Sequence, residues 1–194
     1  IWDVEKHKQL RCMDGHSGRV GALSWNGPML SSGGRDSRIV HHDVRVAEHK
    51  VGVLRGHTQE VCGLRWSPWG TQLASGGNDT DVVVWDCVSE QGLCRLRGHR
   101  GAVTDLAFVE ERPPGPGGRP AEPLRPPELL VSCSKDGIVR VWSLEAQRCV
   151  QVLPVGVEAG VSEVWSLDVV PFGRRLVLGA SDHFLRLYAV DAAG

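Results

Sequence analysis

At 194 residues, 41% apolar and 23% charged, the chain is long enough to bury a core, and its composition gives no sign of overall disorder. A net charge of −1 removes the electrostatic ground for general binding to nucleic acid or an anionic membrane. No apolar run approaches the ~18–20 residues of a membrane span, and no signal peptide opens the sequence.

In chain order, Trp2-Asp3 comes first, and the sequence starts inside a repeat without an initiator Met, as a fragment of a longer protein would. A strand is predicted near Gln9–Met13. Gly-His pairs then stand at Gly15-His16, Gly56-His57 and Gly98-His99, and their histidines are 41 and 42 residues apart. Nine residues after each histidine is an aromatic: Trp25, Trp66 and Phe108. An aspartate follows in a turn of small residues at Asp36, Asp79, Asp136 and Asp182, and six residues beyond each stands His42, Trp85, Trp142 or Tyr188. A recurrence near 40 residues is the mark of a repeat architecture.

Each unit reads as four short strands. From His57 they are approximately Val61–Trp66, Gln72–Ser75, Val82–Trp85 and Leu93–Leu96, rich in Val, Leu and Trp and punctuated by Gly, Asn, Asp and Ser. Short strands, tight turns and this period match the blade of a β-propeller. The expected fold is all-β, about four blades of four-stranded antiparallel sheet forming an incomplete ring: a partial blade at 1–13, blades at 14–55, 56–97 and 98–153, and a final partial blade at 154–190. A closed ring of such blades usually has about seven, of ~40–45 residues each. The Gln9–Met13 strand is a candidate fourth strand for the last sheet.

Residues 110–127 break the period. His99 to Asp136 spans 37 residues where His57 to Asp79 spans 22, and the excess lies in a stretch with seven prolines and three glycines. Such a segment can form neither a ladder nor a helix, so it is expected to be a loop insertion.

The six cysteines form no CxxC pair. Cys62 and Cys133 fall in apolar strand patterns, which points to buried thiols in a reducing compartment rather than a metal or disulfide set. His41 and His42 are adjacent on a predicted strand and therefore face opposite ways, so they are not expected to share an ion. No P-loop, GxSxG or zinc spacing is present. No enzyme activity and no cofactor are expected.

The repeats resemble the WD-repeat family, with literal Trp-Asp dipeptides at Trp2-Asp3 and Trp85-Asp86. That resemblance implies a hydrogen-bonded tetrad of histidine, serine, aspartate and tryptophan in each blade. It maps to His57, Ser75, Asp79 and Trp85, and to His99, Ser132, Asp136 and Trp142. The first blade keeps His16, Ser32 and Asp36 but has His42 for the tryptophan. In the last blade Leu178 and Tyr188 leave the tetrad broken. A His-Ser-Asp set repeated at one spacing is structural, because an active site is usually assembled once.

GHSGRVGALSWN, LSSGGRDSRIVHHDVRVAEH, GHTQEVCGLRWSP and LASGGND closely resemble the Fizzy-type co-activators of the anaphase-promoting complex, over about residues 1–79. This implies a propeller that binds degradation-motif substrates and presents them to ubiquitin ligase subunits, with Asn78 as the candidate receptor of a KEN-type motif. NDTDVVVWDCVSEQGLCRLRGHRGAVTDLAF, SKDGIVRVWSLEAQRCV and EVWSLDVV resemble instead a nucleolar WD-repeat subunit of the small-subunit processome, over about residues 79–190. The two patterns meet within 66–81, as a join between two family segments would. Under either resemblance the partners are proteins or peptides, with no direct nucleic acid or membrane contact. The location is nuclear and cytoplasmic, or nucleolar under the second.

Overall fold

The structure, a computed structural model, describes residues 1–109, 129–155, 163–170, 175–182 and 185–189. The Pro/Gly-rich insertion expected at 110–127 lies outside the described residues. Among those that are described, every regular element is a strand.

A short hairpin comes first, β1 (Trp2–Asp3) with β2 (Lys8–Gln9). Four antiparallel sheets follow, each built in sequence order. Blade 1 is β3 (Val20–Asn26), β4 (Met29–Gly34), β5 (Arg38–Asp43) and β6 (Lys50–Arg55); blade 2 is β7 (Val61–Trp66), β8 (Gln72–Gly77), β9 (Val82–Asp86) and β10 (Gln91–Leu96). Blade 3 is β11 (Val103–Val109), β12 (Leu129–Ser134), β13 (Ile138–Ser143) and β14 (Arg148–Pro154), and blade 4 has β15 (Val164–Val169), β16 (Arg175–Ala180) and β17 (Leu185–Ala189). The expectation that Gln9–Met13 completes the last sheet is not met. Lys8–Gln9 pairs with Trp2–Asp3 in a sheet of its own, so no strand from the start of the chain joins β17.

The repeat is physical as well as textual. The ladder between first and second strands slips at the same place in every blade, at Val20/Ala22, Val61/Gly63, Val103/Asp105 and Val164/Ser166. A bulge of this kind sharpens the local twist and re-aims the side chains that follow.

The core is divided among the blade interfaces. Blades 1 and 2 join through Ile39, Leu54, Val61, Leu64 and Leu73; blades 2 and 3 through Val82, Val84, Val103, Leu106 and Phe108; blades 3 and 4 through Val139, Val141, Val164, Leu167 and Leu178. Each fully buried Val or Leu contributes about 1.5–3 kcal/mol. The second strands β4 and β8 end in Ser-Gly-Gly because blades approach closely there. A Cβ on Gly33 would lie 2.6 Å from Val61 Cγ1, and one on Gly76 would lie 2.4 Å from Val103 Cγ1.

Candidate functional site: tetrads and the turn rim

In blade 2, Asp79 takes hydrogen bonds from His57 Nδ1 at 2.9 Å and from the Thr58 backbone N–H at 2.8 Å. His57 Nε2 is 2.8 Å from Ser75 Oγ, and Trp85 Nε1 donates to the same oxygen at 2.8 Å. Blade 3 repeats this with His99 Nδ1 at 3.1 Å from Asp136, His99 Nε2 at 2.8 Å from Ser132 Oγ, and Trp142 Nε1 donating to Ser132 Oγ at 2.8 Å. The proton directions follow from the group chemistry. Indole N–H only donates and a carboxylate only accepts, so each serine oxygen accepts from its indole and each histidine Nδ1–H serves its aspartate. Burial alone would raise the Asp136 carboxyl, but the hydrogen bonds from His99 and the Arg100 backbone outweigh it and hold the group at about 2. Asp79 and Asp36 are lowered by the same balance.

These sets cannot act as nucleophilic triads. Ser75 and Ser132 are wholly buried, and each hydroxyl is already engaged by a histidine and an indole. Their effect is to fix the turn that carries each aspartate.

Blade 1 solves the same problem differently. His16 Nδ1 is 2.9 Å from Asp36 and its Nε2 is 2.9 Å from Ser32 Oγ. His42 stands in the tryptophan's place, its Nε2 3.2 Å from Ser32 Oγ. Its other nitrogen lies 3.0 Å from His49 Nδ1, and His49 Nε2 lies 3.3 Å from Asp14. An imidazole is smaller than an indole, and beside it lies an open cavity of about 210 Å³ lined in part by Asp14, His16, Leu23, Ser32 and His42. Burial, then the nearby His49 and His16, push His42 down to about 4. His41 faces the other way, bonded to Ser31 Oγ at 2.7 Å and packed on Trp66, and burial holds it at about 4. Among the described residues no three His, Cys, Asp or Glu side chains gather as a metal site. In blade 4, Leu178 fills the serine position, and Asp182 instead pairs with Arg186 at 2.8 Å.

The turns form a rim. The residue before each tetrad aspartate donates its backbone N–H to the carbonyl just ahead of the first strand: Arg35 to Arg19 at 2.7 Å, Asn78 to Glu60 at 2.8 Å and Lys135 to Ala102 at 2.9 Å. Ser181 donates to Glu163 at 3.0 Å in the last blade. Arg35, Asn78, Lys135 and Ser181 are therefore equivalent positions, and none carries an acid. Asn78 is half-buried, and its Oδ1 accepts from the Cys62 thiol at 3.2 Å. That fixes the amide with its N–H₂ as the face left to donate. Burial, then Glu60, push the Cys62 thiol up, which keeps it a donor.

Around Asn78 lie contacts that the motif pattern did not signal. Arg19 holds Glu60 with two nitrogens, Nε donating to Oε1 at 3.1 Å and Nη2 to Oε2 at 2.9 Å, across the blade 1–blade 2 boundary. Lys135 Nζ sits 4.3 Å above the ring of half-exposed Trp165. The Arg19–Glu60 pair had a trace in the sequence, since both follow their Gly-His histidine by three residues; His49 and Trp165 had none.

The WD domain, G-beta repeat family profile matches residues 7–43, 48–86 and 122–143, which is 98 of the 194 positions. The chain is 52% identical over 108 residues to WD repeat-containing protein slp1 of Schizosaccharomyces pombe, covering 56% of this chain and 22% of that one. It is 50% identical over 116 residues to anaphase-promoting complex subunit cdc20 of Dictyostelium discoideum, covering 58% and 23%. The chain thus spans about a quarter or less of these relatives' length. A solved structure of a mitotic checkpoint complex contains a chain that superposes with a TM-score of 0.82 at 36% identity, covering 98% of this chain and 54% of that chain. A match of 108 residues cannot be contained in residues 1–79, and the superposition runs through nearly all four blades, so neither observation marks a join within 66–81. The ribosome-assembly resemblance finds no support among these relatives. With half of its residues in three profile matches and the tetrads built in two blades, the chain belongs to the WD-repeat family.

Proposed function

We propose that this chain is a non-enzymatic recognition arc of a Fizzy-type co-activator, which receives extended peptides carrying a degradation motif on the rim around Asn78. The observation that carries the reading is the Asn78 amide, its oxygen held by Cys62 and its N–H₂ left to donate to an incoming side-chain or backbone oxygen. The tetrad beneath it fixes the turn, so the donor is positioned before a peptide arrives. Similarity near 50% to an anaphase-promoting complex subunit supports ubiquitin ligase subunits as the second class of partner and cell-cycle control as the setting. Nuclear and cytoplasmic location belongs to the same reading.

The test is fluorescence anisotropy with a labelled KEN-type peptide and its scrambled control. The intact chain is expected to bind only the former, and Asn78→Ala to weaken it about tenfold, one hydrogen bond's worth. Equal binding of both peptides, or unchanged affinity in Asn78→Ala, overturns the proposal.

A further inference from the structure

The first strand of every blade carries one bulged residue, left unpaired where its ladder to the second strand slips: Gly21, Cys62, Thr104 and Trp165. A bulge re-aims its side chain, and in blades 2 and 4 it aims that side chain at a rim turn. Cys62 takes the Asn78 amide of its own blade. Trp165 reaches back to the preceding blade, where Lys135 Nζ stands 4.3 Å over its ring. Thr104, the bulged residue between them, donates its hydroxyl to the Val164 carbonyl at 2.7 Å. The backbone under Trp165 is thereby fixed to the blade that carries Lys135.

The indole orders Lys135 without neutralising it. Arg19 and Arg65 cross blade boundaries and each ends on a carboxylate, as do Arg95 and Arg97 within blade 2. Lys135 has no such partner among the described residues, and the equivalent turn residues Arg35, Asn78 and Ser181 offer it none. The aspartate beside it, Asp136, is turned inward to His99. An exposed ammonium held on an aromatic face, with no counter-charge, is a ready receiver for a carboxylate. Lys135 is also close enough to Cys62 to act on its thiol electrostatically, so the ammonium and the Asn78 amide share one stretch of rim. Their turns are equivalent and one blade apart. Sheets packed face to face stand roughly 10 Å apart, about three residues of an extended peptide at ~3.3 Å each.

We propose that Lys135, positioned by Trp165, is a second specificity determinant of the rim: it receives the carboxylate of an acidic residue about three positions from the residue held by Asn78, outside the KEN-type motif itself. The inference rests on Asn78 as the receiver of a peptide and narrows that peptide to one with a flanking acid. Lys135 and Trp165 both lie beyond residues 1–79, where the phrases that resemble the co-activators stand, so the preference follows from this chain's own contacts.

The test is fluorescence anisotropy with KEN-type peptides that carry a single glutamate at successive flanking positions on either side of the motif, each paired with its glutamine counterpart. At one position the intact chain is expected to bind the glutamate peptide about fivefold more tightly, the upper end for an exposed ion pair. That preference is expected to shrink as salt rises from about 0.05 to about 0.5 M. Lys135→Gln is expected to erase it and leave the glutamine peptide's affinity unchanged, whereas Lys135→Arg keeps it. Trp165→Leu is expected to reduce it about twofold, because the ammonium loses the face that holds it. No preference at any position, or one that survives Lys135→Gln, overturns the inference; a loss of affinity in Asn78→Ala then leaves the reading of Asn78 standing. Failure of the intact chain to bind any of the peptides overturns both.

Discussion

Ser75→Ala and Ser32→Ala remove the same hydroxyl from two blades, and the structure requires them to differ. In blade 2 the loss strips two wholly enclosed groups of their partner at once, Trp85 Nε1–H and His57 Nε2, both 2.8 Å from Ser75 Oγ. Each buried polar group left unpaired costs about 1–3 kcal/mol, so about 3 kcal/mol in all is a moderate expectation. In blade 1 the cavity lined by His16, Ser32 and His42 admits water to the vacated position, and His42 keeps His49 at 3.0 Å. There the cost falls to about 1 kcal/mol. Urea denaturation followed by far-ultraviolet circular dichroism reads the difference. With a slope of about 2 kcal/mol per molar, the midpoint of Ser75→Ala lies roughly 1 M below that of Ser32→Ala. A Ser32→Ala midpoint equal to or below that of Ser75→Ala refutes the reasoning that the tryptophan tetrad is the closed one.

The pH dependence is set by His41 and His42, both depressed to about 4 in the folded chain from 6.5. The unfolded chain binds more protons between those values, so stability is complete above pH 6.5 and is lost as pH falls toward 4, on the order of 3 kcal/mol per histidine. Replacing the pair by the Val and Trp of the other blades, His41→Val with His42→Trp, is expected to flatten a denaturation-midpoint profile across that window; an unchanged slope contradicts it. A second loss comes from Asp136, held at about 2, whose contribution is present above pH 4 and disappears as pH falls through 2. Asp136→Asn is expected to remove that acid limb in the same titration. Gly76→Ala forces a Cβ to 2.4 Å from Val103 and is expected to cost about 1–3 kcal/mol, whereas Gly179→Ala meets nothing within 4 Å among the described residues and is expected to be neutral or stabilising by up to about 1 kcal/mol. Thermal melts that rank the two glycine variants the other way count against the close blade contact.

The sequence by itself determined the strands, the period and the composition of the tetrads. Those are local quantities: alternation along Val61–Trp66, small residues in the Ser-Gly-Gly turns, and a histidine, serine, aspartate and tryptophan at fixed offsets. Even the substitution of His42 for tryptophan was legible, because the repeat supplied the residue to compare it with. Only the tertiary structure decided what replaced the indole: His49, seven residues away and outside the tetrad spacing, turned in to bond His42 and brought Asp14 with it. It also decided that Lys8–Gln9 stays with its own hairpin, that Asp182 pairs with Arg186, and that Arg19 reaches Glu60 across a blade boundary. The reason is the same in each case. A repeat fixes what each blade presents to its neighbour, whereas the partners of single side chains depend on how closely the blades approach, and that distance is not written in any one repeat.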